Sequence, residues 1–403
     1  MKILISGAGI AGPTLAYWLL QYGFTPTIVE TAPMLRTGGY IIDFWGAGFE
    51  IADRMGVLGE IREKGYIVRE VRVVNERGER VAGFQADIFD RMARGHFVSI
   101  PRGDLAVSIF GKIESKVETI FGDSIDRIEQ REGGVQVTFE HGGAREFDLV
   151  VGADGLHSRV RELVFGVESE FEKDLGYRAA AFAVDGYEPR DELVYLMYTE
   201  VGQQILRFAM RGDRTMFFIT FADKDSIAAD DVQAQKAVLR KRFASSGWEC
   251  PRILDALDSC SDFYFDRVSQ IWMKTEQGFW SRGRVTLVGD AASCVSLLAG
   301  QGSALAMVAA YILAGELHRA DGNHKEAFRK YEELFEPFVL RKQKAALRFA
   351  GSFAPKSKFS LFLRNKIFEL MSIQWIAHLA VGRDLADKIA LPDYQSDCRS
   401  DSP

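Results

Sequence analysis

The first thirty residues, MKILISGAGIAGPTLAYWLLQYGFTPTIVE, constrain the fold more than any other stretch of the chain. Residues 2 to 6 predict an apolar strand, and a helix follows to about Leu20. A second strand is predicted from Thr25 to Glu30, so that it ends in an acid. A strand, a helix and a strand in this order predict a βαβ unit with two parallel strands.

The turn between the first strand and the helix is a GxGxxG motif. Gly7 permits a tight turn, Gly9 lets the backbone approach a pyrophosphate, and Gly12 lets helix and strand pack closely. The helix N-terminus presents free N–H groups to phosphates, and Glu30 suits a ribose hydroxyl. The sequence therefore predicts a dinucleotide site, without separating NAD from FAD. The motif GAGIAG supplies Gly7, Gly9, Ile10, Ala11 and Gly12.

Two later stretches repeat this pattern of an apolar strand followed by glycine and aspartate. They are DLVVGADGLHSRVR at 148–161 and GRVTLVGDAA at 283–292, and the second continues to the GQG of residues 300–302. Ligands of open α/β sheets bind outside the carboxyl ends of strands. A site built from residues near 10, 150 and 290 indicates a cofactor longer than NAD, bound by a discontinuous domain.

These motifs resemble the three fingerprints of the class A flavoprotein monooxygenases, the aromatic hydroxylases of the p-hydroxybenzoate hydroxylase type. The resemblance is closest to the smaller members that include the tetracycline-inactivating monooxygenases. PRGDL at 101–105 is similar to the family's arginine-leucine element. The resemblance covers roughly residues 1 to 320, and three motifs in the family's order make it specific.

The resemblance implies roles for individual residues toward FAD. Glu30 would hold the adenosine ribose, and residues 9–12 the pyrophosphate. Arg102 would lie near the ribityl chain or flavin edge, and Asp290 would accept a hydrogen bond from a ribityl hydroxyl. The backbone of Gly300, Gln301 and Gly302 would face the pyrimidine ring of the flavin.

Three further residues have two interpretations each. Asp154 would serve the pyrophosphate and NAD(P)H, or cap the turn before Leu156 to Arg161, and both can hold together. Arg36 would contact cofactor phosphates or NAD(P)H, or be a solvated surface arginine. Asp43 lies between apolar neighbours, and a buried carboxylate needs a partner. That partner would be the ribityl chain, the substrate or a structural salt bridge.

The chain departs from the family's pattern after GDAA and GQG. Ser293 and Leu297 stand where the family often has histidine and proline, and Ser303 and Ala304 follow GQG where many members have asparagine. The aspartate and glycines remain, so we expect FAD binding to be kept while the rim of the pocket differs.

From about Gly166 to Trp280, strand-like runs rich in aromatic and β-branched residues predict an antiparallel sheet. Such a sheet can wall a pocket with alternate side chains, and an aromatic lining suits a flat apolar substrate. We expect only a minority of the candidates to contact substrate. The candidate lining residues are Tyr195, Met197, Arg207, Phe217 and Ile219.

The predicted fold class is α/β, with a discontinuous Rossmann-like FAD-binding domain of the GR2 type at 1–165 and 281–320. An antiparallel β-sheet substrate domain is inserted at 166–280. A buried helix is predicted from Ser303. Further helices follow at 321–390, and 391–403 is predicted to be a flexible tail. The basic residues in 341–366 are interpreted as the solvated face of amphipathic helices, and a membrane-surface role is the less favoured alternative.

Composition excludes several classes of protein. The net charge of −6 argues against a nucleic-acid partner. Four dispersed cysteines predict reduced thiols and no metal site. We expect neither a secretion signal nor a membrane span, hence a cytoplasmic protein, either a monomer or a homodimer.

The resemblance implies an FAD-dependent monooxygenase that consumes NADPH or NADH and O2. It would hydroxylate an aromatic or polycyclic small molecule through a flavin C4a-hydroperoxide, with no protein nucleophile and no catalytic residue that the sequence names. Two alternatives stay open. One is a flavin-dependent reductase or dehydrogenase of the geranylgeranyl reductase type, and the other is a non-catalytic flavin-binding protein. A halogenase is disfavoured, since the chain has no WxWxIP element.

Overall fold

The computed structural model describes residues 1–223, 231–260, 262–274, 278–371 and 389–394. They form a mixed α/β protein with parallel and antiparallel sheets. The strands are β1 (Lys2–Ser6), β2 (Thr25–Glu30), β3 (Ile41–Trp45), β4 (Glu70–Val74), β5 (Arg80–Gln85), β6 (Phe97–Pro101), β7 (Glu118–Phe121), β8 (Ile125–Gln130), β9 (Val135–Phe139), β10 (Ala144–Phe147), β11 (Leu149–Gly152), β12 (Glu172–Asp185), β13 (Val194–Glu200), β14 (Gln203–Ala209), β15 (Arg214–Ala222), β16 (Phe263–Ile271), β17 (Ser281–Arg282) and β18 (Val285–Leu287). The helices are α1 (Ala11–Gln21), α2 (Ala47–Arg54), α3 (Leu58–Lys64), α4 (Asp87–Met92), α5 (Arg102–Phe110), α6 (Arg159–Val164), α7 (Val232–Phe243), α8 (Cys250–Ser259), α9 (Asp290–Ser293), α10 (Gly302–Arg319), α11 (His324–Phe353) and α12 (Lys358–Leu370), with 3-10 turns at Glu168–Glu170 and Leu297–Ala299.

The first sheet contains the predicted βαβ unit. Its strand order is β17-β18-β11-β1-β2-β7, and all neighbours except the β17–β18 pair are parallel. Ile3, Leu4 and Ile5 of the central strand are fully buried, as expected for a parallel strand covered on both faces. The predicted strands and the intervening helix are confirmed, with the second strand at the predicted bounds.

The same sheet brings the three sequence motifs together. In register, Ser6 of β1 pairs with Gly152 of β11, which pairs in turn with Leu287 of β18. Because the three strands are parallel neighbours, the GxGxxG turn, the Asp154 turn and the Asp290 turn leave from the same edge. The predicted convergence of distant segments is confirmed.

The second sheet is larger than the sequence predicts. Its order is β16-β12-β15-β14-β13-β4-β5, and all neighbours are antiparallel except β13 and β4. The hairpin β4–β5 comes from the segment that the sequence assigned to the first domain, and it joins this sheet because Glu70 pairs with Val194. The segment 166–280 also contains helices α7 and α8, which the sequence did not predict.

The two faces of this second sheet bury different clusters. On the outer face, Phe217 and Ile219 pack with residues of α7 and α8 such as Leu239 and Ile253. On the inner face, Met197 and Phe208 pack with their neighbours, and Tyr40 and Ile41, which precede β4 in the chain, pack against this cluster. Successive side chains of a strand point to opposite faces, so each strand contributes to both clusters.

The C-terminal region is helical in its described part. The predicted buried helix is α10, whose residues from Leu305 to Leu317 are all buried. Tyr394 is also fully buried, its ring lies 5.2 Å from that of Tyr311, and its hydroxyl donates to Glu316 Oε1 at 2.6 Å. Residues 391–394 therefore pack on α10, although the sequence assigned them to a tail.

The rest of that tail, 395–403, and residues 372–388 of the predicted helices lie outside the described residues. No helix in the described part is long and apolar enough to cross a membrane.

Candidate cofactor site and active site

Two glycines of the first turn, Gly7 and Gly12, stand where no other side chain fits. Gly7 has φ +107°, and a Cβ there would lie 2.5 Å from the backbone oxygen of Ala153. A Cβ on Gly12 would lie 1.9 Å from the Gly7 oxygen. The turn therefore packs against both the start of α1 and the end of β11, as the motif requires.

The N-terminus of α1 is open to a ligand. Ile10 is the N-cap residue, no side chain caps the helix, and its first turn contains no acid. The Arg102 guanidinium lies 3.7 Å from the place where a Gly9 Cβ would stand. Uncapped N–H groups beside an arginine can hold a phosphate group.

Glu30 lies at the end of β2, beside this turn. Its Oε2 accepts a hydrogen bond from the Ala8 N–H at 2.8 Å, and its Oε1 accepts one from the Ala32 N–H at 2.9 Å. Two backbone donors therefore fix the carboxylate at the sheet edge, next to the first glycine turn. Each oxygen keeps further acceptor capacity for a hydroxyl.

Asp290 begins α9, directly after the third parallel strand. Gly289 precedes it with φ +64°, which turns the chain sharply at the sheet edge. Burial raises the pKa of Asp290, while the nearby Arg102 guanidinium and a hydrogen bond with Cys294 lower it. The charge of Asp290, in the third motif, is thus partly compensated by Arg102 of the PRGDL segment.

The GQG loop adjoins Asp290. Gly300 is left-handed with φ +65°, and Gln301 is an N-cap residue whose side chain makes no capping hydrogen bond. A Cβ on Gly302 would lie 3.6 Å from Asp290 Oδ1. The N-terminal N–H groups of the 18-residue α10 therefore lack a side-chain cap and favour a negatively charged or carbonyl-bearing ring edge.

The second motif is held by its own hydrogen bonds. Asp154 accepts from the Val160 N–H at 3.0 Å and from the hydroxyls of Ser158 and Ser6. Burial raises the pKa of Asp154, and these donors oppose the rise. The turn-capping interpretation of Asp154 is therefore what the intrachain contacts show.

Asp43 is the middle residue of β3 and contacts Tyr195 on the inner face of the second sheet. It accepts hydrogen bonds from Ser99 Oγ at 2.6 Å and from the Tyr195 hydroxyl at 3.3 Å. It has no ion pair in the described part of the chain, so the salt-bridge interpretation finds no partner there. Burial raises the pKa of Asp43, against the lowering effect of both donors.

Arg36, Ser293 and Leu297 make few polar side-chain contacts with the described residues. Arg36 is exposed and makes no hydrogen bond or ion pair with any described residue. Ser293 is buried as the last residue of α9, where its N–H donates to the Gly289 oxygen at 3.0 Å. Leu297 packs in a small apolar cluster with Tyr177 and Val268, so it contacts the second sheet.

The five predicted lining residues divide between the two faces of the second sheet. Tyr195 and Met197 belong to the inner cluster. Phe217 and Ile219 belong to the outer cluster, and Arg207 pairs in register with Leu196 and Phe217 on that outer face. The assignment of these last three to a common pocket wall with Tyr195 is corrected, because strand alternation points them to the other face.

Sequence reasoning missed two tyrosines near Arg102 and Asp290. The Tyr40 ring lies 5.5 Å from that of Tyr264 and 5.7 Å from that of Phe218. Burial raises the pKa of Tyr40 to about 12, with Arg102 opposing and Asp290 adding to the rise. Tyr40 immediately follows the Gly38–Gly39 pair in a segment already singled out, but only the fold brings Tyr264 to it.

Comparison with known proteins agrees with this geometry. The family described as FAD binding domain matches residues 1–332. A flavin-dependent monooxygenase from an unknown prokaryotic organism is 36% identical over 396 residues, covering 98% of this chain and 99% of the relative. A flavin-dependent monooxygenase of Legionella longbeachae is 34% identical over 399 residues, covering 98% and 99%. The crystal structure of tetracycline destructase Tet(55) superimposes with a TM-score of 0.83 at 32% identity, and 98% of each chain is covered.

The fold, the converging glycine turns and these relatives define a flavoprotein oxidoreductase. The chain belongs to the FAD binding domain family and is a flavin-dependent monooxygenase. It therefore acts with FAD and O2 on a small-molecule substrate.

Proposed function

We propose that the enzyme uses NADPH or NADH as reductant and hydroxylates an aromatic or polycyclic small molecule. The observation that carries this proposal is the inner face of the second sheet. Tyr195, Met197 and Phe218 lie there, with Tyr40 and Tyr264 beside them. A wall of rings and thioethers suits a flat apolar ligand better than a charged or flexible one.

The FAD-binding residues in this proposal are those at the carboxyl edge of the first sheet. The uncapped start of α1, from Gly9 to Gly12, would hold the pyrophosphate, and Glu30 the ribose. Arg102 and Asp290 would flank the ribityl chain, with the Gly300–Gln301–Gly302 backbone against the pyrimidine ring. The Arg102 guanidinium beside Gly9 and the uncapped start of α10 support this arrangement.

Three further assignments complete the proposal. Asp154 orders the pyrophosphate turn through its hydrogen bonds, and Arg36, exposed at the rim, reaches toward NAD(P)H. Asp43 contacts ribityl or substrate, and its two neutral donors leave it able to accept one hydrogen bond more. In this proposal the FAD domain is of the GR2 type and discontinuous, and the inserted segment 166–280 forms the substrate domain, whose sheet the β4–β5 hairpin extends.

FAD, when bound, would supply the chemistry that transfers one oxygen atom from O2 to the substrate. The chain's own part is to orient substrate and keep water away from the ring. The apolar residues of the inner face, such as Met197 and Phe208, exclude water, while Asp43 and Tyr195 supply polar contacts between the two domains.

The test is a screen of flat aromatic and polycyclic compounds with the FAD-loaded enzyme. Tetracycline is included, since a relative of known structure is named for it. A substrate should stimulate NAD(P)H oxidation, consume O2 and gain one oxygen atom in mass. NAD(P)H oxidation with a reduced product and no O2 uptake would favour the reductase alternative and overturn the proposal.

A further inference from the structure

A cavity lies on the outer face of the seven-stranded sheet, away from the candidate FAD site. Its volume is about 430 Å³, within the range typical of small-molecule sites. Leu196 and Arg207 form part of its lining, whereas Tyr195 and Met197 on the same strand as Leu196 point to the inner face. The sheet itself therefore separates this cavity from the candidate substrate wall.

The deepest charged group of the cavity is already paired. The Arg207 side chain is 3% exposed and forms ion pairs with Glu249 and Asp191. Arg72 shares Asp191, at 2.9 Å, and also contacts Glu70. These ion pairs make a rigid floor, because each guanidinium is held by two carboxylates.

The remaining arginines of the lining differ. Arg77 and Arg252 both border the cavity, and neither has an ion pair within the described ranges. Arg252 donates only to the backbone oxygen of Glu188 and lies 5.0 Å from the Tyr187 ring centre. Glu76 is the one lining carboxylate that no described cation pairs with. The whole lining has four arginines, Arg72, Arg77, Arg207 and Arg252, against three carboxylates, Glu76, Asp191 and Glu249. The lining therefore has one positive charge more than negative, although the whole chain is acidic.

Trp248 supplies an aromatic surface inside the cavity. The backbone N–H of Trp248 donates to the Glu76 backbone oxygen at 2.6 Å, and the φ of Trp248 is +56°. A left-handed tryptophan is strained by about 1 kcal/mol or more, and such strain clusters at ligand sites. The ring is further fixed by Tyr198, 5.6 Å away, and by the Arg207 guanidinium at 5.8 Å.

We propose that this cavity is a second binding site, which takes a small planar carboxylate with its ring against Trp248 and its anionic group on Arg77 and Arg252. Guanidinium groups bind carboxylates with good geometry, and an indole offers the matching flat face. The site is distinct from the flavin pocket, so its occupation does not require a vacant active site.

The test is calorimetric titration of the FAD-loaded enzyme with naphthalene-2-carboxylate, using its neutral methyl ester as the matched ligand. The acid should bind with one-to-one stoichiometry at this site. The double variant Arg77→Gln/Arg252→Gln should weaken binding by about tenfold or more, as expected for losing charge-assisted hydrogen bonds. The control Arg214→Gln, an exposed arginine of the same sheet that does not line the cavity, should leave binding unchanged.

A second readout places the ligand. Binding should quench tryptophan fluorescence in the parent protein, and Trp248→Phe should remove that quenching. The proposal is overturned if no saturable binding occurs at millimolar ligand, if the ester binds as well as the acid, or if the double variant binds like the parent.

Discussion

Arg161 Nη1 donates a hydrogen bond to the Ala291 backbone oxygen at 3.1 Å, across 130 residues of sequence. The same guanidinium donates to the Leu156 oxygen at 2.6 Å and forms an ion pair with Glu168. Its side chain is 1% exposed. One buried arginine therefore ties the turn after β11 to the turn after β18, and so holds two walls of the candidate FAD site in place.

Replacing Arg161 should loosen both turns. We expect Arg161→Met to lower the free energy of unfolding by about 3 kcal/mol, since one buried and one partly buried carbonyl group lose their donor and Glu168 loses an ion pair. FAD affinity should fall as well, because Asp290 neighbours Ala291. Urea unfolding and FAD titration measure the two effects. Arg159→Met on the same helix, whose partner Glu162 is exposed, is the control and should cost less than about 1 kcal/mol. Equal effects of the two substitutions would contradict this role.

The closest backbone approach in the site is also testable. Gly12→Ala would place a Cβ 1.9 Å from the Gly7 oxygen, so the first turn must shift. We expect loss of FAD binding and destabilisation by about 3 kcal/mol or more. Gly59→Ala is the matched control, because its Cβ would meet nothing within 4 Å in helix α3. It should stabilise the helix by up to about 1 kcal/mol. Retained FAD binding in Gly12→Ala would refute the assignment.

The local part of this architecture could be predicted from the sequence, and the long-range part could not. The strand from Thr25 to Glu30 follows from periodicity, and the meeting of the Asp154 and Asp290 turns follows from the rules for parallel sheets. The pairing of Glu70 with Val194 joins segments more than a hundred residues apart, and no local pattern encodes it. For the same reason, the alternation of side chains along a strand places Arg207 and Leu206 on opposite faces of the sheet, but it does not predict which face packs against Tyr40 and Ile41.

Asp290 should lower the stability of the FAD-free protein and strengthen its binding of FAD. Burial raises the pKa of Asp290 in the folded protein. Asp290 therefore stabilises the fold most at a pH below its pKa in the unfolded chain, and this contribution is lost as the pH rises through its pKa in the folded protein. We expect FAD-free Asp290→Asn to be more stable than the parent at pH 8, with the difference shrinking as the pH is lowered toward about 4. FAD should bind about tenfold more weakly. Denaturant unfolding across pH and FAD titration test both, with the exposed Asp53→Asn as the control for FAD binding. A parent protein that is the more stable at pH 8 would contradict the argument.

The two faces of the second sheet should respond differently to substitution. Tyr195→Phe removes the hydroxyl that donates to Asp43. We therefore expect kcat/KM to fall about tenfold, while the free energy of unfolding falls by only about 1 kcal/mol. Phe217→Leu, on the outer face and fully buried, should lower the free energy of unfolding by about 1–3 kcal/mol with kcat/KM unchanged. Steady-state kinetics on a substrate from the screen and urea unfolding separate the two. A Phe217→Leu enzyme with altered KM would contradict the assignment of faces.

His157 joins the segment after the second motif to strand β16. Its ring nitrogens contact Glu168 and Asp266, both at 3.0 Å, and hydrogen bonds with Asp266 and Glu168 raise the pKa of His157 to about 10. Because the folded pKa is raised, the stabilisation is full below the unfolded value of about 6.5 and is lost as pH rises through about 10. The side chain is half exposed, so solvent screening limits the effect to about 1 kcal/mol. His157→Gln should therefore be less stable than the parent near pH 6 and equal to it above about pH 10, measured by urea unfolding at each pH. A stability difference that does not vary with pH would show that the contact is one of packing and not of charge.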